Sequence, residues 1–338
     1  MRSFASLRMT DRATGVARPQ PTRRSVLAAA AALPMAAKAQ DTWPSQPLKI
    51  VVPYPPGGLT DVLGRLSGER LQAAFGQPVI VDNKPGAGTQ LGASYVAKQP
   101  PDGYTLLLAT VSTLCIAPAL YAKPLIAYTE FAPVAFMGNV VLFLVCRPGL
   151  EAHDPKELVA LLHAKPDGLS YGSPGIGSVH HLLVELILSR EHLKAVHVPY
   201  QGSAKAVVDL AEGRFDFMFL DAVVALPQIA SNKIRALAVT GASSDPTLPV
   251  VPPLVKFFPD LDLQPWMSIV APAGTPSTAV DKLNRVLNMA LADGDFVQRL
   301  RDSGMAPLPL TVAAFGDFIR RDAGRWAELV KISGAKAE

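Results

Sequence analysis

From Leu48 onward, short apolar runs alternate with longer segments whose apolar residues recur at every third or fourth position. Runs rich in Val, Ile and Leu predict buried strands, and the longer period predicts amphipathic helices. The predicted strands are 49–53, 79–82, 105–109, 140–146, 169–172, 195–198, 215–220, 234–240 and 268–271. The predicted helices are 61–75, 88–98, 155–165, 179–189, 204–212, 222–231, 276–292, 296–303 and 312–332.

This alternation predicts an α/β architecture with mainly parallel sheets and right-handed crossovers. Segments 131–147 and 264–272 are long enough to carry the chain from one sheet to another and back. We therefore expect a discontinuous first domain, residues 40–141 and 266–338, and a second domain, residues 142–265. A ligand cleft is expected between them, because open α/β sheets place ligands at the carboxyl ends of their strands.

Residues 1–39 have a different pattern. Arginines precede the short apolar run 26–37, which ends in Ala37-Lys38-Ala39, a sequence suited to signal peptidase. This pattern predicts an export signal. The pair Arg23-Arg24 also resembles a twin-arginine signal, so both export routes stay open. No later segment has the roughly 18 consecutive apolar residues of a membrane span, so the mature chain is predicted not to be embedded in a membrane.

The charge balance changes when the signal is removed. The 338-residue precursor has 32 basic and 28 acidic residues and a net charge of +4. The first 39 residues hold seven of the basic residues and one of the acidic residues. The mature chain therefore has a net charge of about −2. This balance gives no support for binding to nucleic acid or to a membrane surface. Any anion that the protein binds must be held by local geometry.

The stretch IVVPYPPGGLTD, residues 50–61, runs from a predicted strand through two prolines and two glycines into a predicted helix. Pro55 and Pro56 stiffen the turn, and Gly57 and Gly58 let the backbone approach a ligand closely. The amides at the start of the helix favour an anion. The stretch is neither a Walker A loop nor a dinucleotide fingerprint. The alternative is an ordinary tight turn capped by Thr60.

Three further loops carry candidate binding groups. Segment 172–178, Gly-Ser-Pro-Gly-Ile-Gly-Ser, repeats the order of strand, glycine-rich loop and helix. Segment 199–204 is the third candidate loop, and Asp221, at the end of a predicted strand, marks the fourth. Each is a weak signal alone, because short loops between strands and helices favour Gly and Ser. Segments 50–61 and 172–178 lie in different halves of the chain, and together they favour a shared ligand.

Catalytic patterns fit less well. Ser170 lies in a G-x-S-x-G match, but a strand follows it where a nucleophile elbow needs a helix. Ser178 and His181 are three residues apart on one helix, without an acid partner that the sequence identifies. His180 and His181 are adjacent and point in different directions, and no H-x-x-H or C-x-x-C pattern is present. We therefore predict no metal site, no cofactor and no enzymatic activity.

The two cysteines, Cys115 and Cys146, would reach an oxidising compartment, where a disulfide is possible. Cys146 lies in an apolar run, which favours two separate buried thiols. Trp266 and Tyr104 are interpreted as packing residues.

A set of motifs runs in order along nearly the whole mature chain. These are Pro53-Tyr54-Pro55-Pro56-Gly57-Gly58, Asn83-Lys84-Pro85-Gly86-Ala87-Gly88, Pro101-Asp102-Gly103-Tyr104-Thr105-Leu106-Leu107, Val198-Pro199-Tyr200-Gln201-Gly202-Ser203, Leu237-Ala238-Val239-Thr240 and Ala271-Pro272-Ala273-Gly274-Thr275-Pro276. Together they resemble the Bug family, the substrate-binding proteins of tripartite tricarboxylate transporters. The resemblance implies the type II periplasmic binding protein fold, in which two α/β domains joined by a hinge close on a ligand in the cleft between them.

The resemblance also implies a ligand carboxylate bound mainly by backbone amides and ordered water. In the first loop it implies Tyr54, Pro56, Gly57, Gly58, Thr60 and Asp61. In the second loop it implies Ser173, Gly175, Gly177, Ser178 and His181, and in the third Tyr200, Gly202, Ser203 and Ala204. Thr110, Ser112 and Asp221 complete the predicted set of ligand-binding residues.

Some positions depart from the family pattern. Ile176 and Val179 stand where family members often have polar residues, and Leu114 and Ala117 likewise replace commonly polar ones. The family usually has an aspartate at the position of Leu220, where it can face a ligand amine, so amine recognition is left open. These departures favour a less polar distal pocket, suited to a monocarboxylate or an aromatic acid.

The sequence therefore predicts a monomeric periplasmic protein that captures a small organic carboxylate, closes by hinge motion and delivers the ligand to membrane permease subunits. Two alternatives stay open. One is a ligand sensor that contacts a signalling protein in place of a permease. The other is an exported serine hydrolase that uses Ser178 or Ser170 with His181.

Overall fold

A computed structural model describes residues 43–166 and 168–336. The predicted export signal lies outside the described residues. The strands are β1 Leu48–Val52, β2 Val79–Asn83, β3 Thr105–Thr110, β4 Phe131–Val140, β5 Leu142–Cys146, β6 Ser170–Ser173, β7 Val196–Pro199, β8 Phe217–Asp221, β9 Arg235–Val239, β10 Trp266–Pro272 and β11 Met305–Pro307. The helices are α1 Leu59–Phe75, α2 Gln90–Ala97, α3 Ala117–Leu120, α4 Pro155–Ala164, α5 Val179–Arg190, α6 Ser203–Ala211, α7 Ala222–Ala230, α8 Ser277–Ala290, α9 Gly294–Asp302 and α10 Val312–Ser333.

The strands form two sheets. The first has the order β11-β4-β10-β3-β1-β2, and the second has the order β7-β6-β8-β5-β9. The chain passes from the first sheet to the second between β4 and β5, with Val141 alone separating the two strands. It returns between β9 and β10. The architecture is therefore α/β with two sheets, as the sequence predicts.

The predicted dominance of parallel pairing is wrong. In the first sheet β1 pairs in parallel with β2 and β3, but β10 runs antiparallel to β3 and β4, and β11 runs antiparallel to β4. In the second sheet β6 pairs in parallel with β7 and β8, but β5 runs antiparallel to both β8 and β9. The reason is the connection between the sheets. A strand that passes straight into the other sheet has no crossover helix to return it in the parallel direction.

Strand β4 was predicted as a connection between the sheets and not as a sheet strand. Its sequence contains Pro133 and Gly138, and both residues weaken a strand prediction. In the fold Pro133 lies opposite Val270 next to a shift in register, where a ladder hydrogen bond is not required. Burial on both sides stabilises this strand, since Val134, Ala135, Phe136 and Met137 are fully or almost fully buried.

Helices cover the sheets and connect the two halves. Helix α10 packs against β4 of the first sheet and also against α5, which follows β6 of the second sheet. One large apolar core accordingly includes residues from both sheets, and a smaller core lies around Phe143, Phe215 and Leu220. The strands separate cleanly into two sheets, whereas the helices do not. The predicted domain limits, residues 141/142 and 265/266, therefore stay a prediction.

No helix within residues 43–166 and 168–336 combines the length and the apolar character needed to cross a membrane. Cys115 and Cys146 are both buried free thiols, which agrees with the interpretation from their apolar surroundings. Burial raises the pKa of both thiols, and that of Cys146 to about 11.

Candidate functional site

The turn between β1 and α1 has the geometry of an open helix start. Gly57 has φ +90°, a conformation that favours glycine, and Gly58 is extended and precedes the first helical residue, Leu59. The amides of Gly58, Leu59 and Thr60 have no hydrogen-bond partner within the described chain. Unpaired amides at the positive end of a helix attract an anion.

Asp61 shapes this turn from behind. Its Oδ2 accepts a hydrogen bond from the Gly57 amide at 3.2 Å and another from Arg65 Nε at 3.1 Å. Burial alone would raise the pKa of this carboxyl, but Arg65 and the Gly57 amide more than offset burial and lower the pKa. Asp61 is therefore ionised and stabilises the turn through these hydrogen bonds. It does not line either of the two cavities described below.

Tyr54 connects the first turn to the end of β3. Its hydroxyl lies 2.8 Å from Thr110 Oγ1, which in turn lies 3.2 Å from Thr113 Oγ1. The Asn83 side chain donates to the Tyr54 carbonyl at 3.1 Å. Burial raises the pKa of the Tyr54 phenol, so the hydroxyl stays neutral. These contacts hold the ring in a fixed position at the centre of the site.

The second loop, residues 173–178, uses most of its own amides internally. The Gly175 amide donates to Ser173 Oγ at 3.2 Å, and the Ser178 amide donates to the Gly175 carbonyl at 3.2 Å. The Gly177 amide donates to His181 Nδ1 at 3.4 Å. The Ser178 hydroxyl also donates to the Gly175 carbonyl, at 2.7 Å. These amides were predicted to hold the ligand, and the structure gives them partners within the chain.

The amide that stays unpaired near the second loop belongs to α5, the helix that follows the loop. The Val179 amide, at the start of α5, donates to Ser112 Oγ at 2.9 Å. The next amide, that of His180, has no partner in the part of the chain that the structure describes. Ser112 follows β3 of the first sheet, so this hydrogen bond joins the two halves of the molecule beside the open amide.

A third helix start faces the same space. Gly202, with φ +103°, precedes α6, and the amides of Ser203 and Ala204 lack partners among the described residues. The Ser203 hydroxyl donates to Asp221 Oδ2 at 2.7 Å, and His180 Nε2 lies 3.3 Å from Asp221 Oδ1. Asp221 is buried at the end of β8 and precedes α7. Side chains from three elements therefore meet at this carboxylate.

These elements enclose a cavity, here called the inner cavity. Its wall includes the starts of α1, α5 and α6, together with Tyr54, Ser112 and Asp221. The remaining wall is mainly apolar and includes Val140, Leu142, Val179, Pro265, Trp266 and Met267. The volume is about 80 Å³, enough for two or three water molecules at roughly 30 Å³ each. No Lys or Arg side chain lines it among the described residues.

A wider space, here called the outer cavity, adjoins the inner one and has a volume of about 430 Å³. Tyr54, Pro55, Pro174, Gln201 and Gly202 line both spaces and so form the boundary between them. The outer cavity also contacts the turn at residues 85–89, together with Tyr121 and Ile176. The arrangement is a small space beside a broader one.

The predicted ligand-binding residues divide among these spaces. Those that line the inner cavity are Tyr54, Pro56, Gly58, Thr60, Thr110, Ser112, Gly202, Ser203, Ala204 and Asp221. Those that line the outer cavity but not the inner are Gly175, Ser178 and Tyr200. Those that line neither are Gly57, Asp61, Ser173, Gly177 and His181.

Behind the second loop lies a stack of three rings. The His197 ring stacks on both Tyr171 and His181, with centroids 4.7 Å and 4.2 Å away and nearly parallel planes, and the Tyr171 and His181 centroids are 6.2 Å apart. His197 Nε2 is 2.7 Å from Ser173 Oγ, and Tyr171 donates to Glu185. Burial lowers the pKa of His181 to about 4. Burial and the neighbouring His181 lower that of His197 to about 3. Both imidazoles are therefore neutral near pH 7, and the stack supports the loop.

The serines considered for catalysis have structural partners. Ser170 donates to Asp216 at 3.1 Å from within β6. Ser178 caps α5, because its hydroxyl accepts from the His181 amide at 3.2 Å. His181 Nδ1 faces the Gly177 amide and does not bond the Ser178 hydroxyl. Within the described residues, no group of three or more His, Cys, Asp or Glu side chains could hold a metal ion.

Comparison with known proteins identifies the family. The sequence model of the tripartite tricarboxylate transporter family receptors matches residues 63–335. BugT of Bordetella pertussis is 36% identical over 300 residues, which cover 88% of this chain and 92% of BugT. The chain belongs to this receptor family. The Bug resemblance seen in the motifs is thereby confirmed.

Solved structures show the fold of this receptor family. The periplasmic binding protein BugD is 31% identical, with a TM-score of 0.81 over 88% of this chain and all of that one. MatC from Rhodopseudomonas palustris, solved with bound malate, is 30% identical, with a TM-score of 0.80 over 85% of this chain and all of that one. The predicted type II periplasmic binding protein fold is confirmed. Receptors of this family are periplasmic solute-binding proteins and not an enzyme family.

Sequence reasoning missed several residues of this receptor's cavity. His180, Pro174, Gln201 and Trp266 all line the inner cavity. His180 was considered only as half of a metal pair, although its place two residues after a glycine-rich loop put it at a helix start. Trp266 is fixed by a hydrogen bond from its Nε1 to Asp322 at 2.6 Å, which agrees with its predicted structural role. It also lines the inner cavity.

Three positions that depart from the family pattern do not affect the pocket in the way that the sequence predicts. Leu114 and Ala117 are buried and line neither cavity, so they do not set the polarity of the pocket. Leu220 is buried in the smaller core, whereas Asp221 beside it faces the inner cavity. An acidic side chain is therefore present in the pocket despite the apolar residue at the usual position.

Proposed function

We propose that the chain is a periplasmic solute-binding protein that captures a small organic carboxylate and delivers it to the permease subunits of a tripartite tricarboxylate-type transporter. The observation that carries this proposal is the inner cavity. Three helix starts present unpaired amides of Leu59, His180 and Ser203, among others, to one small space without a lysine or arginine. Such a space favours an anion through backbone dipoles, and a carboxylate group is small enough to enter it.

Family membership supports the proposal. The relative MatC holds malate, a small organic carboxylate. The apolar side of the inner cavity, with Val179, Leu142 and Trp266, favours a hydrocarbon or aromatic body beyond the carboxylate. We infer that a carboxylate with an apolar remainder suits this chain better than one with many polar groups.

The same geometry supports binding over hydrolysis. The Ser178 hydroxyl donates to a carbonyl and caps a helix, and the Ser170 hydroxyl is paired with Asp216. Neither side chain faces a histidine that could act as its base. We infer that the protein binds its ligand unchanged, acts as a monomer and closes by relative motion of residues 40–141 and 266–338 against residues 142–265.

Thermal unfolding with matched ligands tests this function. The purified protein is denatured and refolded to remove any bound ligand. It is then heated with succinate, malate, adipate or benzoate, and separately with the corresponding neutral amides. At least one acid is expected to stabilise the protein by about 2.7 kcal/mol at 100 times its dissociation constant. Its amide is expected to give no comparable shift, because the helix starts favour negative charge.

The result that would contradict the proposal is equally clear. If no acid raises the unfolding temperature of the refolded protein, or if each amide stabilises it as well as the acid does, the inner cavity is not a carboxylate site.

A further inference from the structure

The wall of the inner cavity carries an unusual combination of charges for a site that takes an anion. Its titratable side chains, among the residues described, are Tyr54, His180 and Asp221. Asp221 is 7% exposed. Burial alone would raise its pKa, but its contacts with His180 and Ser203 lower it. A fixed negative charge therefore borders the space proposed for the ligand carboxylate.

Neither of the other two groups removes this conflict while it stays neutral. The Tyr54 phenol has a raised pKa because of burial, and its hydroxyl is bonded to Thr110. His180 is the second residue of α5, and the positive end of a helix disfavours an imidazolium there. In the empty site, the helix and Asp221 act on His180 in opposite directions.

His180 also has an incomplete set of hydrogen bonds. The side chain is 11% exposed, and its Nε2 lies 3.3 Å from Asp221. Its Nδ1 is buried without a hydrogen-bond partner in the described residues. A neutral imidazole that donates from Nε2 leaves Nδ1 as an orphan acceptor, whereas an imidazolium presents an N–H on both sides. A buried donor of this kind favours an acceptor nearby, and His180 is part of the wall of the space proposed for the ligand carboxylate.

We propose that His180 takes up a proton when a carboxylate occupies the inner cavity, so that the His180–Asp221 pair couples ligand affinity to pH. This inference rests on the proposed function. A second negative charge beside His180 favours the imidazolium and offsets the effect of the helix start. The imidazolium then lies between two carboxylates, one from Asp221 and one from the ligand. Affinity rises as pH falls, by up to tenfold per pH unit where one full proton is linked.

Calorimetric titration counts this proton. The chain is titrated at pH 7.5 with succinate, malate, adipate or benzoate, whichever stabilises it most, in Tris and in HEPES. The two buffers release different heats on giving up a proton, so the difference in binding heat measures proton uptake. An uptake of a substantial fraction of one proton is expected for the unmodified chain. The dissociation constant is expected to fall several-fold between pH 8 and pH 6.5.

Variants assign the proton to its residue. His180→Gln keeps a donor near Asp221 but cannot be protonated, so uptake and the pH dependence of affinity are expected to vanish. His163→Gln, an exposed position on α4, serves as the matched control and is expected to behave like the unmodified chain. Binding without proton uptake by the unmodified chain overturns the inference, as does uptake that persists in His180→Gln. A chain that binds none of the four acids instead contradicts the proposed function itself.

Discussion

Replacing Gly138 by alanine is expected to lower the free energy of unfolding by about 3 kcal/mol or more. Gly138 lies in β4 with φ +140°, a backbone conformation that other residues rarely adopt. A Cβ atom there would lie 2.3 Å from the carbonyl oxygen of Ala306 in β11. Because that oxygen belongs to the backbone of a paired strand, it cannot move aside without breaking the ladder.

Gly324→Ala is the matched control for this substitution. Gly324 lies within α10, is exposed, and a Cβ there has no atom within 4 Å. Alanine at this position is expected to stabilise the chain by about 1 kcal/mol through helix propensity. Urea unfolding of both variants measures the difference. Equal stabilities for Gly138→Ala and Gly324→Ala would show that the β4–β11 approach is not as close as described.

The second large effect concerns pH. The histidine stack behind the second loop is expected to make the free energy of unfolding fall as pH decreases from about 6.5 to about 4. Histidine in the unfolded chain has a pKa of about 6.5, whereas burial lowers the pKa of His181 to about 4 and that of His197 to about 3. The unfolded chain therefore binds protons first, which favours unfolding. The loss is on the order of a few kcal/mol.

Other groups act outside this window or in the opposite direction. Asp61 and Asp221 have lowered pKa values, so their contribution is lost at still lower pH. Burial raises the pKa of Glu185 and of Asp322. The folded protein therefore becomes more stable as pH falls and these two carboxyls are protonated. Comparison with a variant removes the contributions of Asp61, Asp221 and Asp322, which both proteins share. Glu185 lies 3.9 Å from His181 Nε2, so its contribution changes with the variant.

Urea unfolding between pH 7 and pH 4.5 makes that comparison. The double variant His181→Gln, His197→Gln is expected to start less stable and to lose much less stability over this range. His163→Gln, at an exposed position, is expected to follow the unmodified chain. A parallel decline in all three proteins would assign the pH dependence to groups other than the stack.

Much of the fold could be predicted because most strands have a clear local sequence pattern. β1 and β3 are apolar runs bounded by turn residues, and both appear where the sequence predicts them. β4 could not be predicted as a strand, because Pro133 and Gly138 break the local pattern while burial in the sheet stabilises it. β11 is three residues long and ends in proline, so its pairing depends on β4 alone.

The site was predictable where function lies in the backbone of one segment. The turn at Gly57 and Gly58 follows from its own sequence. The second loop was harder, because the side chains of Ser173 and His181 accept hydrogen bonds from its amides, which spacing along the chain does not reveal. The same holds for the contact of His180 with Asp221, which brings together residues 41 positions apart.

The central claim is that backbone amides at helix starts hold the ligand carboxylate, and one pair of variants tests it most directly. Leu59→Pro removes the amide hydrogen at the first position of α1, where proline is tolerated. The extended Gly58 before it, with φ −94° and ψ 176°, also suits a following proline. Leu59→Ala loses the same buried side chain but keeps the amide.

The measurement is the dissociation constant of both variants for the acid that stabilises the unmodified chain most. A hydrogen bond to a charged group contributes about 1.5–3 kcal/mol, and about 1.4 kcal/mol corresponds to a factor of ten. Leu59→Pro is therefore predicted to bind that acid at least tenfold more weakly than Leu59→Ala. Equal affinities in the two variants would contradict the claim that this helix start holds the carboxylate.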